Sequence, residues 1–402
     1  MPIITAPRAL ARSTGPARTA ILTALLLGAT ALVGCDDDAI AEKPVDAGCL
    51  PSGVAMSLAV GARANSPTPA LPRTVEELAR SAARNGKAVS VVQVDGRVDI
   101  DRGPQVFDSK AQNPKKYAKD LDRWIGGLHQ WVADMRADEA EADVLKSLDV
   151  AAAQVEAGGT VVLLDSGLQT TAPLDFRAKG MLDANPAEVV EFLRGSDSLP
   201  NLTERNVLLV GLGDTAPPQP ELDVARRRHV VEIWTAIVKA SGAACVELRE
   251  MSPGAQRTVD APAVGLVPVA ALPVFTPCGE TVLADAGTVG FLPDSDEFRD
   301  PAAARATLAE LGKLLRSGNS SVELIGTTSS SGTEKGRLAL SRARARAVKA
   351  VLEEFGVPGG RITSRGVGDK WPGRVPDRAP NGDLSPGPAA RNRSVVVRIS
   401  CG

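Results

Sequence analysis

Between residues 53 and 249, short runs of consecutive apolar residues alternate with longer stretches in which apolar residues recur every three or four positions. The runs at 54–60, 88–94, 160–164, 207–210 and 244–248 include several that are continuous, the pattern of strands buried on both faces. The stretches between them predict helices at 75–84, 116–156 (two helices), 186–193 and 220–240. This alternation predicts an α/β fold with a doubly wound, mostly parallel sheet. From 279 onward the pattern predicts strands at 288–292, 321–325, 361–367 and 393–400, with helices at 301–315 and 336–355. On the second of these helices Leu338, Ala345, Val348 and Leu352 form an apolar stripe, and Arg342, Arg344, Arg346 and Lys349 are expected on its exposed face. Between the two halves the chain turns rich in Pro, Ala and Val, with Pro262, Pro268, Pro273 and Pro277 interrupting regular structure. The expected organisation is an N-terminal α/β domain at 51–252, a linker at 253–278 and a second α/β domain at 279–402, a sandwich of order βαβαβ-β.

The first 50 residues follow a different rule. A basic start with Arg8, Arg12 and Arg18 precedes the apolar run 21–33, about 13 residues where a membrane span needs about 20. Leu32-Val33-Gly34-Cys35 resembles a bacterial lipobox. The resemblance implies a signal peptide at 1–34, a lipid on Cys35, a tether at 35–50 and a location on the extracytoplasmic face of the cell membrane. The formal charge of -2 includes the three leader arginines, so the exported chain is near -5 and has no basic surface for nucleic acid. Export also permits disulfides. Four cysteines besides Cys35 allow three pairings, and pairing within domains gives Cys49–Cys245 and Cys278–Cys401.

In doubly wound sheets, ligands sit beyond the carboxyl ends of the strands. Three polar loops fall there, at 61–66, 165–170 and 211–215, and offer Asn65, Asp165, Ser166, Thr170 and Asp214 as ligand candidates. Ser166 lacks the glycine-flanked elbow of a hydrolase nucleophile, and the two histidines, His129 and His229, fall in predicted helices. The Asp165 loop is similar to the metal site of von Willebrand factor A-type domains, but Gly167 and Gln169 replace the two serines that would complete it. Gly211-Leu212-Gly213 lacks the third glycine of a dinucleotide loop. No catalytic residue, metal or cofactor is expected.

The second half carries the sharper signal. Val289-Gly290-Phe291, the run from Ile325-Gly326-Thr327-Thr328 to Gly332, Leu340-Ser341-Arg342-Ala343-Arg344-Ala345, Gly356-Val357 with Arg361, Gly366-Val367-Gly368 with Pro372, and Arg391-Asn392-Arg393 fall in an order that resembles the OmpA-like domain. The whole chain is similar to two-domain OmpA-family lipoproteins of high-GC, actinobacterial-type bacteria. The resemblance implies binding of peptidoglycan, with an aspartate after the second strand and an arginine on the following helix clamping the ammonium and carboxylate of diaminopimelate. Arg344 matches that arginine, whereas the aspartate falls on Ser329 and a frequent asparagine falls on Arg337.

Loss of one hydrogen bond to a charged group weakens binding about tenfold to more than a hundredfold. The expected pocket, with Thr328, Ser329, Arg337, Arg344 and Arg393, therefore favours a carboxylate or phosphate of the wall without a paired ammonium, unless Asp369 or Glu334 restores the acid. The loop 370–392 is expected to be a flexible flap, with Trp371 as a packing residue. The function expected is non-catalytic tethering of membrane to peptidoglycan or another anionic wall polymer. The alternatives are an envelope protein–protein adapter, or a metal-binding or enzymatic first domain.

Overall fold

The computed structural model describes residues 47–251, 256–269, 273–285 and 287–401, all within one compact unit, Val45–Gly402. The leader, Cys35 and the tether as far as residue 46 lie outside the described residues. Among the described residues no helix is long and apolar enough to cross a membrane.

The first sheet contains β1 (Met56–Gly61), β2 (Ala88–Val94), β3 (Asp99–Val106), β4 (Thr160–Leu164), β5 (Asn206–Val210) and β6 (Cys245–Arg249). Their order is β3-β2-β1-β4-β5-β6, with all pairs parallel except β2 with β3. One face packs on α1 (Arg73–Arg84) and α2 (Pro114–Asp134), the other on α3 (Val144–Ala153), α4 (Pro186–Gly195) and α5 (Val224–Ala240). The unbroken apolar runs follow from this: in β4, Val161 and Leu163 join the α3–α5 core while Val162 and Leu164 join the α1–α2 core. The connection from β3 to β4 crosses to the far side of β1, which puts the topological switch between β1 and β4.

β3 had no counterpart in the sequence reading. It is a solvent-facing edge strand carrying Asp99, Asp101, Arg102 and Pro104, residues that discourage further strand pairing and erase the apolar signal.

The second sheet contains β7 (Glu280–Ala284), β8 (Ser321–Thr327), β9 (Ile362–Gly366) and β10 (Ser394–Ser400) in the order β7-β10-β8-β9, with only β8 and β9 parallel. α6 (Pro301–Arg316) and α7 (Glu334–Glu354) cover one face through Leu308, Leu311, Leu315, Ala345, Val348 and Leu352. The first strand is thus at 280–284, not at 288–292. Val289 and Phe291 are buried as an alternating pattern predicts, but Phe291 stacks on Phe298 with ring centroids 5.0 Å apart. A turn forms there because the chain folds back at Gly290, where a side chain would meet the Asp285 carbonyl oxygen.

Loop 370–392 is built rather than loose, which corrects the flap expected for it. It contains α8 (Pro386–Asn392), and the buried Asp377 carboxylate accepts hydrogen bonds from Ser330 N at 2.8 Å, Asn392 Nδ2 at 2.9 Å and Arg374 Nη2 at 2.5 Å. Trp371 lies under the Arg398 guanidinium, 5.8 Å from its ring centre. The two disulfides are Cys49–Cys245 and Cys278–Cys401. The proline-rich stretch lies against the first sheet: Gln219 Nε2 donates to Val267 O at 2.9 Å and Val267 N returns a bond to Gln219 Oε1 at 2.8 Å.

Candidate functional site

At the switch point the candidate groups of the first sheet are turned on one another. Arg63, on the loop after β1 and 1% exposed, spans to the loop after β4 and grips Asp165 with two bonds of 2.7 and 3.1 Å. Its Nη2 also donates to Ser166 Oγ at 3.3 Å. Asp165 accepts a further bond from Gly167 N at 2.6 Å, and the Thr170 hydroxyl accepts one from Ala142 N at 2.8 Å. Asp214 is paired with Arg227, and burial raises its pKa against that pairing. Asn65 is buried with Oδ1 unpartnered. The cation filling the crevice is therefore a side chain of the chain itself. Among the described residues, one cluster has three ligand atoms close enough to hold a metal, namely Cys49, Cys245 and Glu247, and its two sulfurs are already bonded to each other. His129 meets Glu76 at 3.0 Å, while His229 meets the Ala184 carbonyl at 2.7 Å.

The second sheet presents an open cavity of about 560 Å³ at the carboxyl end of β8. Thr328, Ser329, Arg337, Arg344 and Arg393 all line it, so the residues expected to act together do converge. Thr328 N donates to Gly368 O at 2.9 Å, fixing the chain as it leaves β8. Ser330 is held by Asp377, and Thr333 caps α7 by accepting from Gly336 N at 3.1 Å. The hydroxyl-rich loop is hydrogen-bonded at both ends.

Arg344 is not on an exposed face, as its helix pattern predicted, but 3% exposed. Its Nε donates to Ser295 O at 3.0 Å and its Nη2 to Leu292 O at 3.3 Å; its Nη1 lies 3.9 Å from Asp285. The guanidinium also sits over the Phe291 ring at 5.1 Å. Burial lowers its pKa, with Asp285 opposing the shift. The turn at 288–292, misread as a strand, is thus what holds this arginine. Arg342 and Arg346 remain exposed as expected.

The other cations are partly neutralised. Arg337 pairs with Asp369 at 3.0 Å, and Glu334 pairs with Lys370. Neither acid lines the cavity. Arg393 donates to Ser329 Oγ at 3.1 Å and pairs with Glu188, which α4 carries in from the first sheet's helical layer. Glu188, Asp285 and Asp294 all line the cavity and were absent from the sequence reading. Glu188 and Arg393 are 205 residues apart, so no local pattern links them.

A mixed sheet backed by two helices, with a buried arginine and a hydroxyl-bearing loop facing one cavity, defines an α/β domain with an open cleft at one end of its sheet. Residues 290–380 match the OmpA family model, and this part of the chain is an OmpA-like domain. Among solved structures the chain is similar to the peptidoglycan-associated lipoprotein from Burkholderia pseudomallei, at 22% identity over 30% of this chain and 89% of that one, TM-score 0.24. It is also similar to the cell wall anchor of the T6SS from Pseudomonas aeruginosa, at 23% identity over 31% and 81%, TM-score 0.25. Among curated proteins, the photosystem I P700 chlorophyll a apoprotein A2 of Gloeobacter violaceus is 35% identical over 100 residues. The match covers 25% of this chain and 11% of that relative, so the chain spans about a tenth of its length.

Proposed function

We propose that the chain is a lipid-anchored envelope protein that tethers the cell membrane to peptidoglycan, or to another anionic wall polymer, without catalysis. Cys35 carries the lipid and the OmpA-like domain carries the wall contact. The observation that supports this most is the buried Arg344, fixed by two carbonyls at the wall of an open cavity that also exposes Thr328, Ser329, Arg337 and Arg393. A guanidinium pre-set in this way loses little freedom when a carboxylate binds, and its remaining N–H groups suit a charge-assisted contact.

Retention of the purified full chain on isolated sacculi tests the pocket. Arg344→Ala should reduce retention about tenfold or more, and equal retention of variant and wild type would remove the pocket from the account. Incorporation of radiolabelled palmitate in cells tests the anchor, with Cys35→Ala expected to abolish it.

A further inference from the structure

Position 329 bears a hydroxyl where an acid would pair with a ligand ammonium, yet the cavity is not without a carboxylate. We infer that Glu188 supplies it from the other half of the molecule, making the pocket selective for an amino-acid end that bears both an ammonium and a carboxylate. The inference rests on the wall-binding reading above.

Glu188 sits three residues after Asn185, whose side chain caps α4 by accepting from Ala187 N at 2.9 Å. Glu188 stands in the first turn of α4, beside the Arg393 guanidinium. One carboxylate oxygen is engaged by Arg393; the other, Oε2, is buried and has no partner. Thr328 Oγ1, lining the same cavity, is likewise buried and unpartnered. An ammonium brings three donors and no acceptor, and two orphaned acceptors in one cavity match it. Arg344 remains to take the carboxylate.

The other acids are less suited. Asp369 and Glu334 are committed to Arg337 and Lys370. Asp285 accepts from Phe291 N at 3.1 Å and faces Arg344, and Asp294 is on the exposed rim. The segment that leads into α4 lies close against α8. Gly180, at φ 88°, leads into the turn Met181–Asp183, and a side chain there would strike the Gly387 carbonyl of α8.

Calorimetric titration of the full chain with meso-diaminopimelate and with pimelate, the same dicarboxylate without amines, tests the inference. Wild type should prefer diaminopimelate by about tenfold or more, and Glu188→Gln should erase most of that preference without lowering pimelate affinity. If Glu188→Gln does not fold, Glu188→Asp, which keeps the charge but shortens its reach, should lower the preference instead. A preference unaltered in the folded variant overturns the inference. Equal wild-type affinity for both probes, with sacculus retention still dependent on Arg344, overturns it and leaves the wall-binding reading standing. Binding of neither probe, together with Arg344-independent retention, overturns both.

Discussion

The amide of Ser330 donates to Asp377 at 2.8 Å, so the loop that follows β8 is held by a carboxylate 47 residues further along the chain. Asp377 also ties together Asn392, at the end of α8, and Arg374. One buried acid thus ties the loop that lines the cavity to the segment 374–392.

Asp377→Ala should therefore cost about 3–5 kcal/mol, because it strands the buried partners of a charged group. Burial works against the Asp377 charge, but hydrogen bonds from Asn392 and Ser330 and the charge of Arg374 outweigh it and hold the pKa below its ordinary value. A carboxyl with a depressed folded pKa stabilises fully above the unfolded value of about 3.9 and loses that contribution as pH falls through the folded value. Urea titrations from pH 7 to pH 2 should show the gap between wild type and Asp377→Ala narrowing only below about pH 4.

Asp183 behaves in the opposite sense. Burial raises its pKa, against the nearby Arg226 and His229. A carboxyl with a raised folded pKa contributes stability below its unfolded value and loses it as pH climbs through the folded one. Asp183→Asn should stabilise the protein at pH 7 and have little effect below about pH 4, as followed by thermal unfolding.

Arg63→Ala leaves Asp165 buried without its counter-ion and should cost about 3–5 kcal/mol, more than the paired change Arg63→Met with Asp165→Leu. Millimolar magnesium or calcium should leave the wild-type Tm unchanged, since Arg63 already occupies the carboxylate; a rise would mean that a cation competes with it.

Replacing Cys49 and Cys245 with serine opens a loop of 196 residues and should cost about 2–5 kcal/mol in denaturant titrations under non-reducing conditions.

The parallel strands were legible because burial on both faces leaves uninterrupted apolar runs such as 161–164 and 207–210. β3 was not, because a charged edge strand carries no hydrophobic period. Val289 and Phe291 alternate like a strand, and only the tight fold at Gly290 distinguishes a turn that packs into the core. In the cavity, Thr328, Ser329, Arg337, Arg344 and Arg393 could be named from motif spacing. The burial of Arg344 could not, since it depends on carbonyls of residues 292 and 295 folding over the helix. Glu188 was invisible for a simpler reason: its place in the cavity is a product of how α4 packs against α8.

Cys49 lies just before β1, the third strand in the sheet, while its disulfide partner begins β6 at the outer edge. A pull on the chain upstream of Cys49 therefore enters the sheet at two strands at once, one of them through a covalent bond. β1 is flanked by parallel neighbours on both sides, so tension along its axis loads many hydrogen bonds in shear instead of unzipping them singly. Any tension applied from the N-terminal side would therefore be shared between the centre of the first sheet and its edge.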